Sequence, residues 1–365
     1  MFDFIPLEYY FRVYIHIAFF VVVFTLLHTY ALSINDRKNI NYINIIGYLF
    51  LFYAILYIGF RPVSGRFFGD MSTYNVKYLR YVNGEPLNTK QDVFFEIYMK
   101  ICSQFLTVKY FFLLCAIAYI LPFYKVSIFF FGKYWLYAFL MFAVSFSFWT
   151  YGTNGIRNGM ATSFFLWGVS LYNKKFWMIV VFIISTQIHN SLMLPIMAFL
   201  ISHTYSNSKS YFIFWLFSIP LSLAFGGIWE NLFASLGFGN DRLSGYISGT
   251  QLDDAGIVTS GFRYDFLFYS AVAVFVGWYF IFKKDFYDKV YFHLYNTYLI
   301  CNGFWILVIR ANFSNRFAYL SWFLMGLIII YPFLKGSFFN NQHIVIGKVL
   351  TAYFSFTYFM YYVYY

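Results

Sequence analysis

Long apolar runs separated by short polar breaks fill this chain almost from end to end. The runs lie at 13–32, 43–60, 107–124, 135–149, 157–172, 176–189, 191–203, 211–226, 264–282, 290–309, 317–334 and 346–364. A stretch of about 20 apolar residues makes a helix long enough to cross a bilayer, so the pattern predicts about twelve transmembrane helices. The runs at 176–189 and 191–203 are short. At ~1.5 Å per residue, a helix of about 14 residues falls short of a ~30 Å hydrocarbon core. Such helices usually line a cavity shielded from lipid. Two breaks are long, 61–106 and 227–263. In the first, "QDVFFEIYMKICSQF" has helical periodicity, with Val93, Ile97, Ile101 and Phe105 on one stripe and Asp92, Glu96, Lys100 and Gln104 beside it. That is the pattern of an interfacial helix lying on one leaflet. The second carries eight glycines between Gly226 and Gly261, which predicts a mobile loop. No internal repeat is visible. The expected fold class is an all-α polytopic membrane protein, with residues 1–365 as a single integral membrane domain.

Composition agrees. Hydrophobic residues make up 61% of the chain, with 53 Phe and 37 Tyr, and charged residues only 11%, where a soluble domain would carry roughly a quarter. A water-soluble fold has no place to hide so much apolar surface. The formal charge of +11 has no soluble basic domain to present it to nucleic acid, so it reads first as topology. One side of the predicted bundle carries Arg37, Lys38, Lys125, Lys133, Lys174, Lys175, Lys209, Lys283, Lys284, Lys289, Lys335 and Lys348. Positive charge in short loops marks the cytoplasmic side, which places both termini outside. "MFDFIPLEYYFR" has no basic leader and no small-residue cleavage site, and is expected to open an uncleaved first span. Cys102, Cys115 and Cys301 lie in or beside apolar runs without metal-ligand spacing, as reduced packing residues do.

The charges differ in kind as well as in place. Nine of the ten arginines fall on the outer side: Arg12, Arg61, Arg66, Arg80, Arg157, Arg242, Arg263, Arg310 and Arg316. Lysine serves topology as well as arginine does, so topology does not explain the split. Arginine is preferred where a flat, two-pronged donor must hold phosphate or carboxylate.

Four constellations carry candidate chemistry. In "YGTNGIRNGMATSFF", Arg157 follows a corner containing Asn154 and opens an apolar helix; one hairpin later "STQIHNS" brings His189 back to the same level. Arg157 either snorkels to the interface or faces the bundle interior, where a charge usually has a purpose; His189 either caps a helix end or acts as a base. "IRANFSNRFAYLSWF" sets Arg310 and Arg316 around Asn312 and Asn315, as a phosphate-binding cluster or as two interface anchors. "GFRPVSGRFFGDMSTYNVKYLRY" places Arg61 and Arg66 on a turn, then Asp70, Tyr74 and Tyr78 at i, i+4 spacing. Asp70 can take a proton from a sugar hydroxyl while the tyrosines stack on sugar rings; equally, it can pair with Arg66 and cap a helix. In "SGFRYDFLFYS", Arg263 and Asp265 read as a local ion pair or as sugar ligands. GxxxxGK[ST], HExxH, GxSxG and DxD motifs are absent, so ATP-driven, zinc-dependent and serine-hydrolase readings lose support. Without a DxD metal site, arginine would have to stabilise a phosphate leaving group.

In this order, "GDMSTY", "TNGIRNGMA", "IHNS", "SGFRYDF" and "NRFAYLSWFL" resemble the EpsG-like, Wzy-type O-antigen polymerases, over about residues 60 to 335. These are enzymes of the bacterial inner membrane that join oligosaccharide repeat units carried on undecaprenyl pyrophosphate. The resemblance implies a GT-C-like helical bundle with two longer periplasmic loops, and an inverting, metal-independent glycosyltransferase that needs no cofactor. It implies pyrophosphate binding by Arg157, Arg310, Arg316, Arg61 and Arg66, a base in His189 or Asp70, and sugar contacts from Tyr74, Tyr78, Asn154, Arg263 and Asp265. Its partners would be the lipid-linked oligosaccharide as donor and acceptor, membrane lipids and a chain-length regulator in the same membrane. A flippase for the same lipid, or an O-antigen ligase, is the rival reading. A flippase needs charge spread through the bilayer and often a two-fold repeat; arginines gathered at one face favour an enzyme.

Overall fold

In a computed structural model, residues 2–87, 92–235, 261–311 and 314–364 are described, with helices and no strand among them. The first two helices, α1 (Tyr10–Ala31) and α2 (Arg37–Gly59), match the first two apolar runs. Asp36 starts α2 by accepting the backbone N–H of Lys38 at 2.7 Å, which satisfies one of the donors a helix N-terminus leaves open. The polar break after α2 holds α3 (Gly65–Phe68), α4 (Met71–Val82) and α5 (Val93–Phe105). The chain then returns through α6 (Val108–Phe131), α7 (Trp135–Ala143), α8 (Phe148–Thr153), α9 (Ile156–Ser170), α10 (Lys175–Ile188), α11 (Met193–Thr204) and α12 (Ser208–Ser235). After the undescribed residues come α13 (Tyr264–Lys283), α14 (Lys289–Leu307), α15 (Ser314–Lys335) and α16 (Gln342–Tyr364). The expected glycine-rich loop 227–263 lies largely outside the described residues, as do Arg242 and Asn312, although α12 runs to Ser235.

Seven helices among the described residues are long and apolar enough to cross a membrane, so the chain is a helical polytopic membrane protein. The helices α9, α10 and α11, of 15, 14 and 12 residues, measure only about 22, 21 and 18 Å at 1.5 Å per residue. The run predicted as one span at 135–149 is instead two short helices, α7 and α8, broken between Ala143 and Phe148. Periodicity does not register that break because every residue from Trp135 to Val144 is buried, leaving no polar face to mark a change of direction.

Two compact units emerge: Met1–Leu192 with Phe333–Tyr365, and Met193–Pro332. In the first, α9 packs between α6 and α10, α2 lies along α6, and α16 lies along α1. Buried tyrosine hydroxyls stitch these helices through backbone carbonyls: Tyr14 to Ala143 at 2.8 Å, Tyr119 to Phe148 at 3.0 Å. A hydroxyl left without such a partner in an apolar interior costs a few kcal/mol. In the second unit, α14 packs against α11, α12 and α13, with Trp215 Nε1 donating to Asn302 at 2.7 Å. All three cysteines are buried and unbridged.

The interfacial-helix pattern meets a correction. On α5, Val93, Ile97, Ile101 and Phe105 are exposed as the stripe predicts. Half of the polar stripe, however, does not face water, although Gln104 is exposed and Lys100 half-buried. Asp92 and Glu96 are buried against α4, α9 and the end of α10. The helix turns its apolar side outward and its acids inward, and periodicity alone gives the stripes without saying which one the fold covers.

Candidate functional site

Arg157 stands in the first turn of α9, the positive end of that helix's dipole, where a cation is disfavoured. The fold supplies a counter-charge. Arg157 Nη1 lies 2.6 Å from Asp92 Oδ2, and the two side chains are 20% and 6% exposed. Arg157 Nε donates to the Tyr74 hydroxyl at 3.1 Å, and the guanidinium sits 5.6 Å from that ring's centroid. Asp92 Oδ1 accepts the backbone N–H of Asn190 at 3.2 Å. One carboxylate therefore ties the start of α9 to the chain just beyond α10, from its place before α5. It does so at φ 52°, in the left-handed region, a conformation that costs a non-glycine residue roughly 1–3 kcal/mol and is kept where the surroundings demand it. Burial pushes the Tyr74 phenol up, against the opposing pull of Arg157, so it stays protonated beside the cation.

Asp70 reaches this corner by a second route. Its backbone N–H donates to Asn154 Oδ1 at 2.8 Å, three residues before Arg157. Gly69 has φ +50°, and a Cβ there would overlap the Asn154 amide, so glycine is required by both conformation and space. Asn154, expected as a sugar ligand, is the clamp that holds this turn. The Asp70 side chain is exposed and makes no hydrogen bond or ion pair among the described residues; neither the pair with Arg66 nor the side-chain cap forms.

His189 ends α10, next to Asn190. Its Nδ1 accepts the Ser191 backbone N–H at 3.3 Å and meets Ser191 Oγ at 2.6 Å. A backbone N–H can only donate, so Nδ1 carries the lone pair and the neutral ring keeps its proton on Nε2. The sequence thus brings Arg157, Asp70, Asn154, Tyr74 and His189 to one end of the first unit.

Other expected residues sit elsewhere or face inward. Arg61 is 3% exposed. It donates to the carbonyls of Ile58 and Thr153, and lies 5.8 and 5.3 Å from the Phe68 and Phe112 rings. Burial lowers its pKa to about 10. It fastens the end of α2 to the end of α8. Arg66 is exposed, above the Phe67 ring. Tyr74 and Tyr78 do not offer open faces for stacking: they are 6% and 1% exposed, edged by Phe95 and Phe111. The Tyr78 hydroxyl donates to the carbonyls of Cys102 and Leu106 at 3.0 and 2.7 Å. In the second unit, Arg263 grips Asp265 with Nε at 2.9 Å and Nη2 at 2.6 Å, the local ion pair. Arg310 Nη2 donates to the Leu223 carbonyl at 3.4 Å, and Arg316 is exposed in the first turn of α15.

Sequence reasoning missed three participants. Asp92 and Asn190 complete the Arg157 site. Glu96 takes Lys77 at 2.6 Å and the Tyr81 hydroxyl at 2.7 Å, pinning α5 to α4. The i, i+4 spacing of Asp92 and Glu96 was the available signal.

No protein of curated function and no solved structure matches the chain. The model of the EpsG family does, over residues 62–365, a span that takes in Asp70, Asp92, Asn154, Arg157 and His189. The chain belongs to the EpsG family.

Proposed function

We propose that this EpsG-family chain is a membrane glycosyltransferase that polymerises oligosaccharide repeat units carried on undecaprenyl pyrophosphate, at the periplasmic face of a bacterial inner membrane. Family membership supports the reaction class. The observation that carries the site is Arg157 at the N-terminus of α9, held by Asp92 and Tyr74. A helix N-terminus and a guanidinium together make an anion site. Asp92 fills the role of that anion in the resting protein, and a pyrophosphate oxygen would replace or join it.

The acceptor hydroxyl attacks the donor's anomeric carbon, a new glycosidic C–O bond forms, and the bond to undecaprenyl pyrophosphate breaks with its electron pair leaving on the phosphate oxygen. Arg157 offsets the charge that develops there, the kind of stabilisation worth most in a site already organised before reaction. Asp70, whose exposed carboxylate has no partner among the described residues, takes the hydroxyl proton. His189, with its ring proton on Nε2, suits donation to a substrate oxygen better than proton removal. The finer expectations belong to the same reading: about twelve spans in a GT-C-like bundle, inversion at the anomeric carbon, and a chain-length regulator as partner.

The surface-glycan ladder of a cell lacking the gene tests it. Lipid A–core bearing a single repeat unit, with the ladder restored by wild type, is the expected result. Lipid A–core with no repeat unit at all would replace the polymerase reading with flippase or ligase.

A further inference from the structure

Helix α4 has two faces, and the fold uses one. Met71, Tyr74, Tyr78 and Tyr81 are buried. On the other side Ser72, Thr73, Val76, Lys77 and Arg80 recur at i, i+1, i+4, i+5 and i+8, a single helical stripe, and line a cavity of about 460 Å³. A second cavity of about 300 Å³ is lined by Lys77, Arg80, Tyr81, Glu85 and Pro86. Lys77 and Arg80 belong to both, so the hollows follow one another along the helix. The strip leads away from Asp70; at ~1.5 Å per residue, Arg80 lies about 15 Å further on.

We propose that this strip binds the sugar chain of the lipid-linked substrate, an inference that rests on the polymerase reading and moves its carbohydrate contacts from the tyrosine face of α4 to the opposite one. The lining offers hydroxyls at Ser72 and Thr73, cations at Lys77 and Arg80, and a carboxylate at Glu85. A sugar hydroxyl both donates and accepts, so it pairs with every one of these. A bare phosphate does not, because Glu96 already neutralises Lys77 and Glu85 repels a second anion. Arg80 is exposed and makes no ion pair among the described residues, which leaves its donors for ligand. Val76, 51% exposed, supplies an apolar spot for the C–H face of a ring. The tyrosines expected to stack on sugar are closed off by the packing of α5 and α6.

Photo-crosslinking in cells that make the glycan tests the strip directly. A photoreactive phenylalanine analogue replaces Thr73, and in a second variant Ile101, on the exposed apolar face of α5. The expected result is a carbohydrate adduct on the Thr73 variant, removed by periodate, and none on the Ile101 variant. A single-step shift marks a repeat unit and a ladder marks a growing chain; either carries the proposal. Adding Arg80→Ala should lower the adduct roughly ten-fold, as loss of a charge-assisted hydrogen bond does. No adduct at Thr73, or equal adducts at both positions, overturns it. The glycan ladder of the gene-deleted cell reports separately on polymerase activity: an adduct without a ladder defect removes the polymerase reading and keeps the strip, and a ladder defect without an adduct does the reverse.

Discussion

Arg157 is the residue on which the site turns, and its neighbours explain why lysine is no substitute. Nη1 meets Asp92 while Nε meets Tyr74. A single ammonium on a flexible stem lacks that fixed fork. Arg157→Lys is expected to keep the charge and lose the glycan ladder at matched membrane levels; a normal ladder contradicts the assignment. Asp92→Ala removes the counter-charge of a cation that is largely buried at a positive helix end. Breaking such a pair costs about 3 kcal/mol, so the thermal midpoint of the purified chain should fall, and Asp92→Asn, which retains an acceptor, should fall less. An unchanged midpoint in both would mean that Asp92 does not hold the corner. Arg157, Asp70, Asn154 and His189 were legible in the sequence because they sit beside helix ends that the hydrophobic pattern locates. Asp92 was not: it looked like one more polar residue on a helix face, and only packing shows that its end of that face turns inward. For the same reason Tyr78 looked like a stacking platform and is a buried strut.

At the level of elements, the α8–α9 corner and the α4–α5 hairpin carry the site. Gly159 lies where a Cβ would run into the Tyr151 carbonyl oxygen and crowd Tyr119 at 3.1 Å. Backbone cannot yield as a side chain can, and overpacking of this kind costs roughly 1–3 kcal/mol. Gly159→Ala is therefore predicted to displace α9, with Arg157 on it, and shorten the ladder, whereas Gly261→Ala, which meets nothing within 4 Å, leaves it intact. Equal effects of the two would deny the corner its role. In the hairpin, burial pushes the Tyr78 phenol up to about 12, and burial together with Glu96 pushes Tyr81 up as well. The folded hairpin keeps protons that an unfolded chain releases near pH 10, so their contribution is full below about pH 10 and is lost as pH rises through about 12. Tyrosinate absorbance and amide exchange in residues 71–105 should rise together in that window, and Tyr78→Phe should remove part of the pH dependence. Exchange that is flat across it would contradict the linkage. The helices themselves were legible from periodicity; the hairpin's tertiary pairing was not, since it depends on which stripe each helix presents to its neighbour.

Along the whole chain, the hydrophobic pattern assigns most lysines to one set of loops and nine of the ten arginines to the other, a split legible in the sequence alone. Length and apolarity separate the helices: seven among the described residues are long and apolar enough to cross, while α9, α10 and α11, next to one another in the chain, are too short. The break between α7 and α8 was invisible because both sides of it are apolar and buried. Orientation is open to a direct test, helped by three native cysteines that are buried and so contribute little background. A membrane-impermeant maleimide should label Glu85→Cys in cells with an opened outer membrane and an intact inner one, and reach Asp36→Cys and Lys174→Cys only after the inner membrane is permeabilised. The opposite pattern would place the arginine end in the cytoplasm and remove it from lipid-linked sugars on the periplasmic leaflet.

Purified protein in proteoliposomes, supplied with undecaprenyl-pyrophosphate-linked repeat units, gives the most direct reading, because no flippase or ligase is then present to share the outcome. Wild type is predicted to convert the units into a ladder of longer glycans with release of undecaprenyl pyrophosphate, and Arg157→Lys to produce neither. No elongation by wild type, or elongation equally well by Arg157→Lys, would contradict the account.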